Sequence, residues 1–311
     1  MNTELYELEQ SLNKAVIATG NLPDSMQVTP NDTIIGQAFS NAPFLNFLES
    51  KGRTADVDTS EISFYKKTAQ TGASFIAETA DVPDAGAVNI QEVVSRMKTV
   101  VSPIEISKMA KMGTNKADLL QMQIEDSYLY IENIIDTTLL TGTGTAQSND
   151  FKNVMDGVTS EDADGENLTE DMVDDFLNTI IDGNGGAPDG IITTFNIAKQ
   201  LKKLVAPYRR LNDMVDVTAG FRCIGYESPN GATIPIIVDS NMPDGTLFAV
   251  ESRTIDVKYL MRPSIFEMAT TSLVDKSVMA SFVTAQNSAP FKSGILTNVG
   301  DGSDGTGSDG G

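Results

Sequence analysis

One long helical pattern sets the scale on which this chain must fold. It runs from Asn115 to Leu139, with Thr114 placed to cap its N-terminus. The apolar residues at helical spacing along it are Leu120, Ile124, Ile131, Ile134 and Ile135. A helix of this length spans roughly 38 Å, so we expect it to be the backbone along which other elements pack. Gly142 and Gly144 are predicted to end it.

A long antiparallel hairpin is predicted before this helix, within residues 57–110. Ile62 and Phe64 alternate with polar residues in the first run, and a second alternating run extends from 93 to 107. The segment between the runs is rich in Gly and Ala and includes Phe75, Glu78 and Asp81. A two-stranded ribbon buries too little apolar surface to be stable alone in water. We therefore expect the ribbon to pack against another molecule.

The first 56 residues lack the pattern of a compact domain. Their apolar residues cluster late, after several prolines, at Phe44, Leu45, Phe47 and Leu48. This cluster has no apolar partners nearby in the sequence, so something distant must cover it. We interpret residues 1–56 as an arm that docks elsewhere, with Phe44 and Phe47 as candidate contacts to another subunit.

The second half of the chain predicts a mixed α+β arrangement. Thr169 caps a helix, Ile191 and Ile192 form a short buried strand, and a second helix continues through Val205. Six strand-like runs follow, at 221–226, 234–238, 246–250, 255–260, 265–271 and 278–284. The last twelve residues contain only Gly, Asp, Ser and Thr, which predicts a mobile tail.

The residue inventory argues against an enzyme. Histidine is absent, which removes every Ser-His-Asp, Cys-His and His-metal site. No phosphate-binding Gly-rich loop is present, and the lone Cys223 is interpreted as structural. A poor calcium-loop match comprises Ser160, Asp162, Asp164, Gly165 and Asp171, which we interpret as a solvated loop. We assign no catalytic, cofactor-binding or metal-binding residue.

Charge limits the partners of this chain. The 43 acidic and 22 basic residues give a formal charge of -21, which disfavours tight charge-driven binding to nucleic acid. No apolar run is long enough to span a membrane, and the first residues lack the pattern of a secretory signal. A soluble protein of a reducing compartment is expected.

Basic side chains concentrate in one cluster, at Lys199, Lys202, Lys203, Arg209 and Arg210. The cluster lacks the interleaved aromatic residues of a nucleic-acid surface, apart from Tyr208. We expect it to contact an acidic patch on a neighbouring copy. The ribbon tip, with Phe75, Glu78 and Asp81, is the predicted patch by charge complementarity.

The order of these elements resembles the major capsid proteins of tailed bacteriophages (Caudoviricetes), which have the Hong Kong 97-type fold. The resemblance includes the segment Ile234-Pro-Ile-Ile-Val238, followed by Met242-Pro-Asp-Gly-Thr246 and the run from Leu247 to Met261. It divides the chain into an N-terminal arm (1–56), an extended loop (57–110), a spine helix of the peripheral domain (111–144), an axial domain (145–245), peripheral strands with a return to the axial domain (246–298) and a tail (299–311).

This resemblance implies a structural shell protein that assembles as hexamers and pentamers into an icosahedral head around double-stranded DNA, without sequence-specific binding. It implies a separate scaffolding protein or none, with portal and decoration proteins as further partners, and assembly in the host cytoplasm into a virion. Some relatives cross-link the loop through a lysine; Lys66 and Lys67 lie in that region, and neither is assigned this role. Alternatives are an encapsulin-like nanocompartment shell, another phage structural component, or an acidic metal-dependent hydrolase that uses the carboxylates of 161–175.

Overall fold

Helices and strands alternate along the chain in the computed structural model, which describes residues 16–17, 42–67, 75, 89–113, 119–145, 148–205, 214–218, 221–228, 231–269 and 273–302. The helices are α1 (Pro43–Ser50), α2 (Lys108–Gly113), α3 (Leu119–Thr141), α4 (Glu170–Asn178), which continues as a π-helical turn (Thr179–Gly183), and α5 (Phe195–Val205). The predicted α+β class is confirmed.

The strands form two sheets and a separate ribbon. They are β1 (Val16–Ile17), β2 (Thr54–Asp56), β3 (Glu61–Lys67), β4 (Ile90–Arg96), β5 (Lys98–Ser107), β6 (Thr159–Asp162), β7 (Gly190–Thr193), β8 (Met214–Thr218), β9 (Phe221–Glu227), β10 (Thr233–Val238), β11 (Leu247–Val250), β12 (Ile255–Met268), β13 (Val274–Asn287) and β14 (Gly294–Thr297).

A mixed sheet of seven strands, in the order β6-β14-β11-β7-β10-β9-β8, separates two apolar layers. Successive side chains of a strand point to opposite faces. In β7, Ile191 therefore packs with the helices α4 and α5, while Ile192 packs with α1 and α3. In β11, Leu247 packs on the same side as Ile191, and Phe248 packs on the same side as Ile192. The strand is buried on both faces because helices cover both.

A second sheet, in the order β1-β5-β13-β12-β2, covers the other side of α3. The buried residues Ile131, Ile135 and Leu139 of α3 share one core with Val257 of β12 and Val283 of β13. Helix α3 is therefore packed between the two sheets, as expected for the predicted backbone helix.

Local sequence explains where two of the helices begin or end. Helix α4 begins at the predicted cap, because the Thr169 hydroxyl accepts the N–H of Met172 at 3.2 Å. Helix α3 ends at Thr141, and Gly142 donates its N–H to the carbonyl of Thr138 at 2.8 Å. The predicted cap of α3, Thr114, lies outside the described residues.

The structure corrects the predicted role of Phe44 and Phe47 as contacts to another subunit. Both lie on α1 and are buried in the core of their own chain, with relative exposures of 0% and 2%. The Phe44 ring meets Phe248 of β11 edge to face, with ring centroids 6.1 Å apart. The residues that cover them are distant in sequence, as expected, but they belong to the same molecule. Residues 42–56 are therefore part of the folded domain and not of a separate arm.

Three further boundaries differ from expectation. The second run of the hairpin divides at Met97, since β4 pairs with β3 while β5 joins the five-stranded sheet. The runs 255–260 and 265–271 merge into the single strand β12, which bends at register shifts opposite β13. The start of the predicted tail is anchored, because Gly300 donates its N–H to Glu166 and Gly302 donates to Asn167.

Candidate assembly surfaces

The ribbon of β3 and β4 presents apolar side chains that the described part of its own chain leaves exposed. Its two strands pair antiparallel from Glu61 opposite Arg96 to Lys67 opposite Ile90, as the hairpin prediction requires. Every residue of both strands is exposed or half-buried. At the end nearest the body, Glu61 and Arg96 form an ion pair at 2.8 Å with both side chains largely in solvent. Such a pair contributes at most about 1 kcal/mol.

The register assigns the ribbon two different faces. Because residues directly opposite each other share a face, Tyr65, Val94 and Ile90 lie on one side. Their relative exposures of 72%, 48% and 62% make this the more open face. Ile62, Phe64 and Val93 lie on the other side and are half-buried. An open apolar face on an isolated ribbon is typical of a surface that a partner covers.

The ribbon tip and its predicted acidic patch are only partly visible. Phe75 is fully exposed. Glu78 and Asp81 lie outside the described residues.

The far end of the β12–β13 hairpin is a second exposed apolar surface. Both strands are fourteen residues long, and they are buried only over the half that packs on α3. The exposed apolar side chains at the far end are Ile265, Phe266, Met268 and Leu273. The sequence pattern predicted strands here but not this surface. A signal was present, because apolar residues occur on both alternating positions of the run.

An open groove of about 630 Å³ lies beside that hairpin, between α3 and β12. Its lining is largely apolar and comprises Ile124, Glu125, Tyr128, Leu129, Pro263, Ser264, Ile265 and Met279. A hydrogen bond to Glu132 raises the pKa of Tyr128 to about 12, so the phenol stays neutral at physiological pH. The groove therefore adds largely apolar surface to this side of α3, with the carboxylate of Glu125 in its lining.

The basic cluster lies on the solvent face of α5. Lys199, Lys202 and Lys203 lie on the side in contact with solvent, whereas Ile197 and Leu201 on the opposite face pack against the seven-stranded sheet. The exposed Phe195 lies at the start of the same helix. Arg209 and Arg210 lie outside the described residues. The three lysines are thus available to an acidic partner.

Two of the carboxylates proposed for a hydrolase, Asp162 and Asp174, are engaged in other contacts. Asp162 accepts the N–H of Asp164 and the side-chain amide of Asn298, and these bonds lower its pKa. Asp174 accepts the hydroxyl of Tyr226 at 2.7 Å. Among the described residues, no group of three or more His, Cys, Asp or Glu side chains is placed to hold a metal ion. The helices that the structure describes include none long and apolar enough to cross a membrane.

Comparison with solved structures identifies the fold. The capsid of cyanophage A-1(L) is 12% identical and superposes with a TM-score of 0.66, covering 91% of this chain and 99% of that one. The capsid of a native GTA particle is 12% identical, with a TM-score of 0.64 and coverages of 87% and 94%. The SrpI encapsulin of Synechococcus elongatus PCC 7942 is 10% identical, with a TM-score of 0.65 and coverages of 92% and 98%.

These three structures share one fold and therefore do not by themselves separate a phage capsid from an encapsulin. No curated protein sequence matches the chain. The family model of the SU10 major capsid protein matches residues 23–300, which comprise the ribbon, the spine helix α3 and both sheets apart from the edge strand β1. With the Hong Kong 97-type fold and this match over most of its length, the chain belongs to the SU10 major capsid protein family and is a structural protein of a tailed-bacteriophage capsid, not an enzyme.

Proposed function

We propose that this capsid protein assembles as hexamers and pentamers into an icosahedral head that encloses double-stranded DNA without sequence-specific contacts. Burial of the ribbon against neighbouring copies drives the assembly. The single observation that carries this proposal is the ribbon itself, whose open face presents Tyr65, Ile90 and Val94 to solvent. Association that removes this face from water is favourable by roughly 25 cal/mol per Å² of apolar surface.

The far end of the β12–β13 hairpin supplies a second apolar contact between copies. The far end of the hairpin lies opposite Ser107 of β5, whereas the ribbon joins at the Lys98 end of that strand, so one subunit offers two separate apolar surfaces. Two different surfaces on each copy allow contacts with more than one neighbour, which a closed shell requires.

The lysines of α5 are proposed to contact the acidic ribbon tip of a neighbouring copy. Lys199, Lys202 and Lys203 share the solvent side of one helix in a chain that carries a charge of -21. Contacts of this kind set orientation and association rate more than affinity. Scaffolding, portal and decoration proteins are proposed as separate partners, with assembly in the host cytoplasm.

The ribbon is tested with the double variant Ile90→Ser/Val94→Ser. We expect the free energy of unfolding of the unassembled chain to stay within about 0.5 kcal/mol of the parent, since both side chains are exposed. The free energy of assembly should become less favourable by roughly 1 kcal/mol for each side chain per contact. This is a fraction of the free energy gained when such a side chain is fully buried. Negative-stain microscopy and light scattering against protein concentration measure the loss of closed shells.

The control variant is Gln91→Ser, which changes an exposed polar residue of the same strand. It should assemble like the parent. If the double variant assembles at the parent's concentration, the ribbon does not drive association and the proposal is wrong.

Salt and nucleic-acid content test the remaining parts. Because copies with a charge of -21 repel one another, moderate salt should promote assembly by shortening the Debye length to about 8 Å. Assembly that is unaffected or weakened between low and moderate salt would contradict this electrostatic reasoning. The encapsulin alternative predicts particles that hold protein cargo, so the mass of DNA per particle isolated from infected cells separates the two functions.

A further inference from the structure

Two carboxyl groups are completely buried side by side where α1, α3 and the end of β10 meet. Asp136 belongs to the spine helix α3, and Asp239 follows directly after β10 of the seven-stranded sheet. Both have relative exposures of 0%. Burial of a carboxylate lowers the stability of a protein unless the group is paired or hydrogen-bonded. The hydrogen-bond partners of these two groups therefore determine whether the pair is stable.

Asp136 replaces the N-cap that α1 lacks. The residue before α1 is Ala42, which has no side-chain acceptor, and α1 therefore begins without a side-chain cap of its own. The Oδ1 atom of Asp136 accepts the N–H of Leu45, in the first turn of α1, at 2.7 Å. A carboxyl group from α3 thus holds the start of α1 against the spine helix.

Asn241 connects the same carboxyl group to the sheet. Its side-chain amide donates to Oδ2 of Asp136 at 2.9 Å and to Oδ1 of Asn133 at 3.0 Å. Its backbone N–H donates to Oδ1 of Asp239 at 2.8 Å. The other oxygen of Asp239, Oδ2, is buried and receives no hydrogen bond within the part of the chain that the structure describes.

A proton between the carboxyl groups would supply the donor that Oδ2 of Asp239 lacks. Burial is the largest cause that raises the pKa of Asp136, and the neighbouring Asp239 raises it further. The N–H donors of Asn241 and Leu45 lower it, and the resulting pKa is about 8. Asp239 is the ionisable group beside Asp136, while α1, α3 and the turn after β10 contribute uncharged partners through Leu45, Asn133 and Asn241.

We propose that Asp136 and Asp239 share a single proton, and that this proton holds the spine helix to α1 and to the seven-stranded sheet. A carboxylic acid that donates to a neighbouring carboxylate satisfies the orphan oxygen and removes one of two adjacent buried charges. When the proton is lost, two adjacent buried carboxylates repel each other, and the junction weakens. The capsid subunit thereby carries a junction that responds to alkaline pH.

The direction of the pH effect follows from the raised pKa. The folded chain keeps a proton that the unfolded chain loses near its ordinary value of 3.8. The stabilisation is complete below about pH 4 and is lost progressively as the pH rises to about 8. In that window each pH unit raises the unfolding equilibrium constant by up to about tenfold for one such group.

The test compares the unassembled full-length chain with Asp239→Asn between pH 6 and pH 8 in equilibrium denaturant unfolding. The parent should show a rise of up to about a hundredfold in the unfolding constant across these two pH units. The Asp239→Asn variant has a permanent N–H donor toward Asp136, so this rise should largely disappear. The control Asp58→Asn removes an exposed carboxylate and should keep the full pH dependence of the parent.

A second measurement decides the matter even if the variant does not fold. Infrared difference spectra of the folded parent should show the carbonyl stretch of a protonated carboxyl group at pH 6 and its loss above pH 8. The absence of that band at pH 6 overturns the proposal. Equal pH dependence in parent and Asp239→Asn overturns it as well, and so does a loss of stability on adding a chelator, which would indicate a bound cation in place of the proton.

Discussion

Replacing Phe44 by alanine tests whether α1 belongs to the core of its own chain or to a contact between copies. The Phe44 side chain has a relative exposure of 0% and packs edge to face on Phe248. Truncation of a buried phenylalanine costs about 3–5 kcal/mol through lost burial and the remaining cavity. Since a whole domain is stable by only about 5–15 kcal/mol, the effect should be large in the unassembled chain.

Equilibrium denaturant unfolding of the unassembled full-length chain measures the effect. We expect the midpoint to fall while the dependence on denaturant concentration stays unchanged, which indicates a loss of stability without a change in the surface exposed on unfolding. If Phe44→Ala does not fold, Phe44→Leu retains most of the volume and should cost about 1.5 kcal/mol or less. The matched control is Phe75→Ala, whose ring is fully exposed and whose loss should change the unfolding free energy by less than about 0.5 kcal/mol.

The opposite pattern would refute the reasoning. A loss below about 1 kcal/mol for Phe44→Ala, combined with failure to form shells, would place Phe44 at a subunit interface. The core assignment of α1 would then be wrong.

Three further predictions concern two helix ends and the lysines of α5. Thr169→Ala removes the acceptor for the Met172 N–H and should lower the unfolding free energy by about 1 kcal/mol, whereas Thr169→Ser should retain it. Gly142→Ala places a methyl group 2.6 Å from the Thr138 carbonyl oxygen and should cost about 1–3 kcal/mol in thermal unfolding, with Gly183→Ala, which meets open space, as its control. Lys199→Glu/Lys203→Glu should slow shell formation measured by light scattering, because it replaces two lysines that face an acidic partner by carboxylates; an unchanged rate would remove α5 from the assembly contacts.

Much of the fold was predictable because it depends on local periodicity. The spacing of Ile131 and Ile135 identified the spine helix, and Thr169 identified the start of α4. Alternation around Phe64 identified the first strand of the ribbon, and the structure confirms that this strand, β3, pairs with β4. Such patterns record which face of an element is buried, so they predict the element without knowledge of its partner.

The sequence by itself therefore determined the element types, the absence of histidine chemistry, the excess negative charge and the order of elements that resembles a capsid protein. Only the tertiary structure decided what each apolar face meets. Phe44 is covered by Phe248, which lies in a distant part of the chain, and Asp136 reaches both Leu45 and Asn241. Apolar burial is not directional, so a pattern that requires cover does not specify whether that cover lies within the same chain or on a neighbouring copy.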